Sequence, residues 1–150
     1  MKMIPSLIAA ISAALLTLPA QAQFAKPEDA IHYRKASMNV LATHFFRLAT
    51  MVNGRVPYDA KVAVANADIV MKMSKLPWPA FGAGTDKGET RTRPSVWTQP
   101  AKFKDLSDKM VTQVAALDAA AKTGDLDKLK VAFRATAGTC QSCHDVFRNN

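Results

Sequence analysis

The chain has 150 residues, 20 Lys and Arg against 12 Asp and Glu for a formal net charge of +8, 49% hydrophobic and 21% charged residues, which is the composition of one ordinary globular domain. Collagen-like, rod-like, low-complexity and disulfide-scaffold architectures are excluded, because the only cysteines, Cys140 and Cys143, lie too close in sequence for a bridge between them to close a stabilising loop. Aromatics at 7%, abundant Ala and the absence of alternating Val, Ile and Thr runs lean the chain towards helix.

The N-terminal residues 1–22 are of a different kind. Lys2 is a positive start, Ile4 to Leu18 is an apolar run, and Ala20-Gln21-Ala22 is a small-x-small cleavage site, the pattern of a secretory signal peptide cut after Ala22. The alternative, an uncleaved membrane anchor, fits less well: the run falls short of the ~20 apolar residues of a span and ends at Pro19. The expected product is residues 23–150, one exported, periplasmic domain with no membrane attachment after cleavage. Lys and Arg are scattered and no recognition motif appears, so nucleic acid is not an expected partner; the charge reads as solubility plus a preference for acidic partners.

Four helices follow. From Pro27 to about Val52, Ile31, Met38, Leu41, Phe45, Leu48 and Val52 form a 3-4 stripe in which Arg34 takes the place of an apolar member. Pro27, Glu28 and Asp29 start this helix and Asn53-Gly54 stop it. A second, capped by Asp59, runs through Val62, Ile69, Val70 and Met73 and ends before Pro77. Residues 77–94, with Pro77, Pro79, Pro94, Gly82, Gly84 and Gly88, form a long loop of the kind that is functional or disordered. After a short turn bearing Val96 and Trp97, a third helix from about Ala101 to Lys122 presents Phe103, Leu106, Met110, Val114 and Leu117. Gly124 and Asp125 separate it from a fourth, which runs to about Phe147 with Leu129, Phe133, Ala137, Cys140, His144 and Phe147 inward. The expected fold is all-α, an antiparallel four-helix bundle.

The chemistry concentrates at Cys140-Gln141-Ser142-Cys143-His144. C-x-x-C-H is the attachment signature of c-type haem. On a helix, positions i and i+3 face one way, so both thiols reach the vinyl groups along one porphyrin edge, and His144 at i+4 projects towards the iron. Other uses of the pair fit less well. A thioredoxin-like redox motif needs a strand before it and a helix starting at it, and a zinc site would have to recruit His32 or His44, which lie off the apolar stripe and read as solvated. A plain buried dithiol is out of place in an oxidising compartment.

Further pieces carry a family likeness: Gln23 to Ala30, Tyr33-Arg34, Pro57-Tyr58-Asp59-Ala60, Leu76-Pro77-Trp78, Phe81-Gly82, Gly84-Thr85, Arg93-Pro94 with Trp97, Gly124-Asp125-Leu126, and Cys140 to His144 with Asp145, Phe147 and Arg148. With its motif at the C-terminal end, the chain resembles the class II c-type cytochromes, specifically the cytochrome c′ family. The resemblance implies one haem c, bound covalently through two thioethers from Cys140 and Cys143, with His144 as proximal iron ligand and Arg148 near its solvent side. It implies that Arg34 pairs with a haem propionate, that Lys35, Thr90 and Arg91 touch the haem edge, and that Trp78 and Phe81 wall the pocket.

Met38 takes the distal position, where cytochromes c′ usually carry a residue that cannot bind iron and some class II relatives carry a ligating Met. The resemblance therefore implies either a one-electron carrier serving redox partner proteins or a five-coordinate haem that binds nitric oxide or carbon monoxide. A thiol oxidoreductase without haem is a distant third reading. No Ser-His-Asp set, carboxylate pair or phosphate-binding glycine loop points to an enzyme. The family often pairs its bundles through the first two helices, so a homodimer is expected.

Overall fold

The computed structural model describes residues 23–149, so the signal peptide expected at 1–22 lies outside the described residues. The elements in chain order are α1 (Pro27–Val52), α2 (Ala60–Met73), a 3₁₀ turn (Trp78–Ala80), the one-turn α3 (Ser95–Thr98), α4 (Pro100–Lys122) and α5 (Leu126–Phe147). Contacts of α1 with α2, α2 with α4, α4 with α5 and α5 back to α1 close the long helices into the expected four-helix bundle. No helix among the described residues is long and apolar enough to cross a membrane.

The helix ends follow from local chemistry. Pro27 stands at the first turn of α1 with Glu28 and Asp29 beside it, where anionic groups meet the positive end of the helix dipole. Asp59 Oδ1 accepts from the backbone N–H of Lys61 (2.8 Å) and Val62 (3.0 Å), and Asp125 does the same for Asp127 and Lys128. These are N-caps that satisfy donors a helix start would otherwise leave free.

Along the bundle axis Leu48, Val70, Val114, Leu117 and Leu129 are at most 1% exposed, each burial contributing about 1.5–3 kcal/mol. Phe45 of α1 stacks on Phe133 of α5 with centroids 4.3 Å apart, which seals the α5–α1 seam.

Three expected placements are corrected by the packing. Val62 is 46% exposed; α2 instead buries Ala63, Asn66, Ala67 and Val70, a face of mostly small residues that lets neighbouring helices approach. His44 is half-buried rather than solvated, with Nδ1 2.8 Å from Asn66 Oδ1. Asn66 donates its Nδ2 to Val62 O (2.7 Å), so its Oδ1 is the acceptor and His44 Nδ1 carries the proton. His32 is exposed as expected. On α5 the buried position is Thr136, 1% exposed, rather than Ala137, which is half-buried; the Thr136 hydroxyl lies against Gln113 O of α4 (3.1 Å) and Ala132 O (2.9 Å).

Candidate functional site

Helix α5 runs unbroken through the Cys140–His144 motif to Phe147. No strand precedes the motif among the described residues, which removes the context that thioredoxin-like chemistry requires. Both cysteines are half-buried free thiols. Burial, assisted by the neighbouring Cys140, pushes the Cys143 thiol up to about 11, and burial also raises Cys140. His144 shifts the other way: burial, then the charges of Arg148 and Arg91, hold its imidazole below the ordinary histidine value against the opposing pull of Asp145. A neutral imidazole is the form that ligates a metal. Residue His144 is exposed overall, at the edge of the α5 stripe and not inside it as expected. No group of three or more His, Cys, Asp or Glu side chains stands close enough to hold a metal among the described residues, so a zinc reading lacks donors. Two thiols one turn apart with an imidazole at the next position are the donor set of haem c, and the residues present fit that group.

An aromatic wall stands beside the motif. Phe103 lies 4.8 Å from Phe81, 5.8 Å from Trp78 and 5.2 Å from Phe147 in edge contacts, and Trp78 stacks on Phe81 at 6.2 Å. The indoles are locked by their N–H groups, Trp78 Nε1 donating to Ser74 O (2.7 Å) and Trp97 Nε1 to Phe81 O (3.0 Å). Trp78 and Phe81 are legible as wall residues from the family likeness. Phe103 reads only as a stripe member, and Phe147, though part of the family likeness, carries no wall role there; nothing in their spacing separates them from ordinary core.

Residues 77–94 form an ordered strap tied at both ends. One tie is Arg34 of α1, 3% exposed. Its Nη1 donates to Ala80 O (2.9 Å) and Thr85 Oγ1 (2.8 Å), its Nη2 to Thr85 O (2.7 Å) and Thr90 Oγ1 (2.8 Å), and its Cζ sits 4.7 Å over the Phe81 ring. A buried guanidinium without a carboxylate is costly, and burial lowers its pKa; four oxygens and an aromatic face offset that cost. The four terminal N–H groups of Arg34 thus all meet oxygens of the strap. Gly84 (φ +78°) and Gly88 (φ +90°) supply left-handed turns that seat the strap on α1, where a Cβ would meet Pro27 and Ile31.

The other tie is the C-terminal end of α5. An antiparallel bridge pairs Thr92 with Arg148; Arg93 N donates to Phe147 O (2.9 Å) and Asn149 N to Arg91 O (2.8 Å). Side chains add to it: Arg93 Nη1 to Asp145 O (2.8 Å), Arg91 Nε to Asn149 O (3.1 Å) and Ser95 Oγ to Val146 O (2.9 Å). These donors satisfy carbonyls that a helix end leaves free. The strap thus brings Arg34, Thr90, Arg91, Trp78 and Phe81 to the end of the bundle that holds Cys140, Cys143 and His144. Arg148 lies 3.5 Å from His144 Nδ1. Lys35 is exposed and reaches Glu89 of the strap, donating to its carbonyl at 3.2 Å. Met38 is half-buried one turn after Arg34. Thr85 and Arg93 belong to pieces that carry the family likeness, but their part in tying the strap is not legible there, since a threonine and an arginine in a loop carry no periodicity.

A family model described as cytochrome c′ matches residues 29–148. The cytochrome c′ of Rubrivivax gelatinosus is 50% identical over 127 residues, covering 84% of this chain and 98% of that protein. Its crystal structure superposes with a TM-score of 0.83 over 85% of this chain and all of the other (100%) at 49% identity. A nitric oxide complex of a mutant cytochrome c prime from Alcaligenes xylosoxidans gives a TM-score of 0.80 at 42% identity, covering 85% and 99% of the two chains. On matches of this extent, joined to the Cys140-x-x-Cys143-His144 donor set, the chain belongs to the cytochrome c′ family of class II c-type cytochromes, whose one covalent haem c is taken here by Cys140 and Cys143.

Proposed function

We propose that this protein is a periplasmic one-electron carrier, with His144 as proximal ligand and the Met38 thioether closing the opposite side of the haem. The observation that carries the reading is the residue at the distal position: a half-buried Met on the face of α1 that also bears Arg34, where sulfur is a soft ligand favouring ferrous iron. The haem, when bound, supplies the one-electron iron couple. The chain does the rest. Neutral His144 offers a ring nitrogen, the Trp78–Phe81–Phe103–Phe147 wall excludes water and lowers the local dielectric, and Arg34 holds the strap that carries two of those aromatics. The two thiols that could serve as nucleophiles are the ones the haem consumes, which supports a carrier and not an enzyme, and sets aside a haem-free thiol oxidoreductase.

Export rests on the signal pattern of residues 1–22. A homodimer through α1 and α2 is supported by Phe46, 67% exposed, together with exposed Val40 and Val62 on those helices; Phe46→Lys should convert a sedimenting dimer to monomer. The second reading is a gas-binding haem with a vacant sixth site, and the observation that favours it is the nitric oxide complex formed by a mutant of the 42% identical relative.

One experiment separates the two. Ferrous wild-type protein should be at least partly low-spin and slow to bind carbon monoxide, and Met38→Ala should turn it five-coordinate and high-spin with faster gas binding. Identical high-spin spectra for both proteins would defeat the carrier reading and leave Met38 as a steric lid over a gas site.

A further inference from the structure

The basic charge of this chain is not spread evenly in its effect. Among the described residues, six of the seven ion pairs join a Lys to an Asp three or four positions away on the same helix or at its cap, and the seventh joins Lys35 to Glu89. Those pairs engage seven of the nineteen Lys and Arg side chains among the described residues, and a distinct group of the unpaired ones gathers at the end of α5. Arg91, Arg93 and Arg148 form no ion pair among the described residues. Arg91 and Arg93 spend donors on the carbonyls of Asp145 and Asn149 at the end of α5, which fixes both side chains there without cancelling their charge. Arg148 rests on His144 and is exposed. Arg91 and Arg148 line a polar notch with Gln141, His144, Asp145 and Asn149, and half-buried Arg93 stands beside it, tied to the carbonyl of Asp145. The one carboxylate in this lining, Asp145, already accepts from Gln141 Nε2.

We propose that the Arg91–Arg93–Arg148 rim around His144 is the docking surface for a carboxylate-bearing patch of an acidic redox protein. The proposal rests on the carrier reading for its purpose, since a partner seated there would lie against the exposed proximal histidine, the residue expected to touch the iron. Guanidinium groups are well matched to such a patch, because each presents a planar fork to a carboxylate, and two of the three are held in place before the partner arrives. Unpaired exposed charges of one sign around a concave site steer an oppositely charged surface and speed its encounter, an effect that fades as salt shortens the Debye length.

The test uses the intact ferrous holoprotein saturated with carbon monoxide, a diamagnetic state, and a synthetic hexaglutamate peptide as probe, read by amide chemical-shift changes at low and high ionic strength. Shifts should cluster on residues 91–93, 141 and 144–149, and Arg148→Gln with Arg91→Gln and Arg93→Gln should weaken binding about tenfold at low salt, with the gap closing at high salt. A triple Arg→Lys variant, which keeps the charge, should retain most of the affinity. Because Arg91 and Arg93 also tie the strap, Arg148→Gln alone serves as a variant that leaves both strap ties in place and should still weaken binding about threefold. The control is Lys61→Gln, Lys122→Gln and Lys128→Gln, equal in charge lost but at the opposite end of the bundle. If this control weakens binding as much as the rim variant, or the shifts spread over the surface, net charge alone is at work and the proposal fails. It fails also if inorganic phosphate at matched ionic strength moves the same residues as tightly as the peptide, because the notch is then a small-anion site. None of these readouts depends on iron spin state, so failure of the carrier reading, seen in the Met38 spectra, stays separate.

Discussion

Two regions of this molecule are held together by different physics. The body of the bundle rests on apolar burial, with Leu48, Val70, Val114, Leu117 and Leu129 sealed from water. The end that carries the haem motif rests on polar ties: Arg34 binds the strap from one side, and the α5 terminus binds it from the other. Burial is non-directional and tolerant of small shifts, whereas four hydrogen bonds from one guanidinium specify a single loop conformation. A long connection rich in Gly and Pro becomes a wall because a single buried charge gives it fixed partners. The division suits a cofactor protein, with a robust frame at one end and a specified surface at the other.

The largest expected effect breaks the polar end at its motif. With two thioethers formed, acid-acetone should extract no haem from wild-type protein, and Cys140→Ala with Cys143→Ala should give a chain bearing no covalent haem. In that double variant amide protection should fall first across residues 77–94 and 140–149 and last around Leu48 and Leu117; uniform loss would show that the two regions are one cooperative unit. Next in size is a cavity in the body. Leu117 is 0% exposed, and Leu117→Ala should lower unfolding stability by about 2–5 kcal/mol in denaturant titrations while leaving the visible spectrum of the holoprotein unchanged.

The same division explains which parts are legible in the sequence. The four helices and the caps Asp59 and Asp125 follow from periodicity and end chemistry, so sequence and structure agree on them to within a residue or two. The face of α2 is not legible in this way, because its buried side is built from Ala63, Asn66 and Ala67 and a search for large apolar residues prefers Val62. His44 reads as solvated because its partner Asn66 lies on another helix. The haem motif is legible since its chemistry is local to one helical turn. The family likeness makes Arg34 visible, yet its partners are loop carbonyls and hydroxyls some fifty residues downstream, and backbone oxygens have no sequence signal. Polar ties between distant segments are the component that pattern reading lacks.

Arg34→Leu tests whether the strap depends on that one charge. The change keeps a buried apolar stem but leaves Ala80 O, Thr85 O and Thr85 Oγ1 without the guanidinium donor, while Thr90 Oγ1 still accepts from the Thr92 N–H. Unmade bonds to buried acceptors should cost on the order of 3 kcal/mol in total. The loss should be local: limited proteolysis should cut within residues 82–90 in the variant and not in wild type, with the helical circular dichroism preserved. Arg34→Lys should rescue little, since one ammonium cannot meet four oxygens in a planar fork. A variant as resistant to proteolysis as wild type would transfer the strap's order to its contacts with α5.

The smallest expected effect lies at the opposite end of the bundle and sharpens the contrast, because a charge there acts through solvent-exposed caps. Asp125 accepts from the backbone N–H of Asp127 and Lys128 at the start of α5. The Lys128 N–H is the main cause holding its carboxyl below the ordinary aspartate value; partial burial opposes it, and the Asp127 N–H and the Lys128 charge add to the lowering. The folded state therefore binds this proton less readily than the unfolded chain. Stability from the cap is fully present above the unfolded value and is lost as pH falls through the depressed folded one, so the acid limb should descend from about pH 5 towards 3 and below. Asp125→Asn keeps an oxygen that accepts the same two N–H groups, since Asn caps as well as Asp, but removes the titration. Its Tm should match wild type near pH 7 to within a degree or two and fall less steeply in acid. A slope identical to wild type would mean that other carboxylates govern acid unfolding and that this cap is only a steric stop.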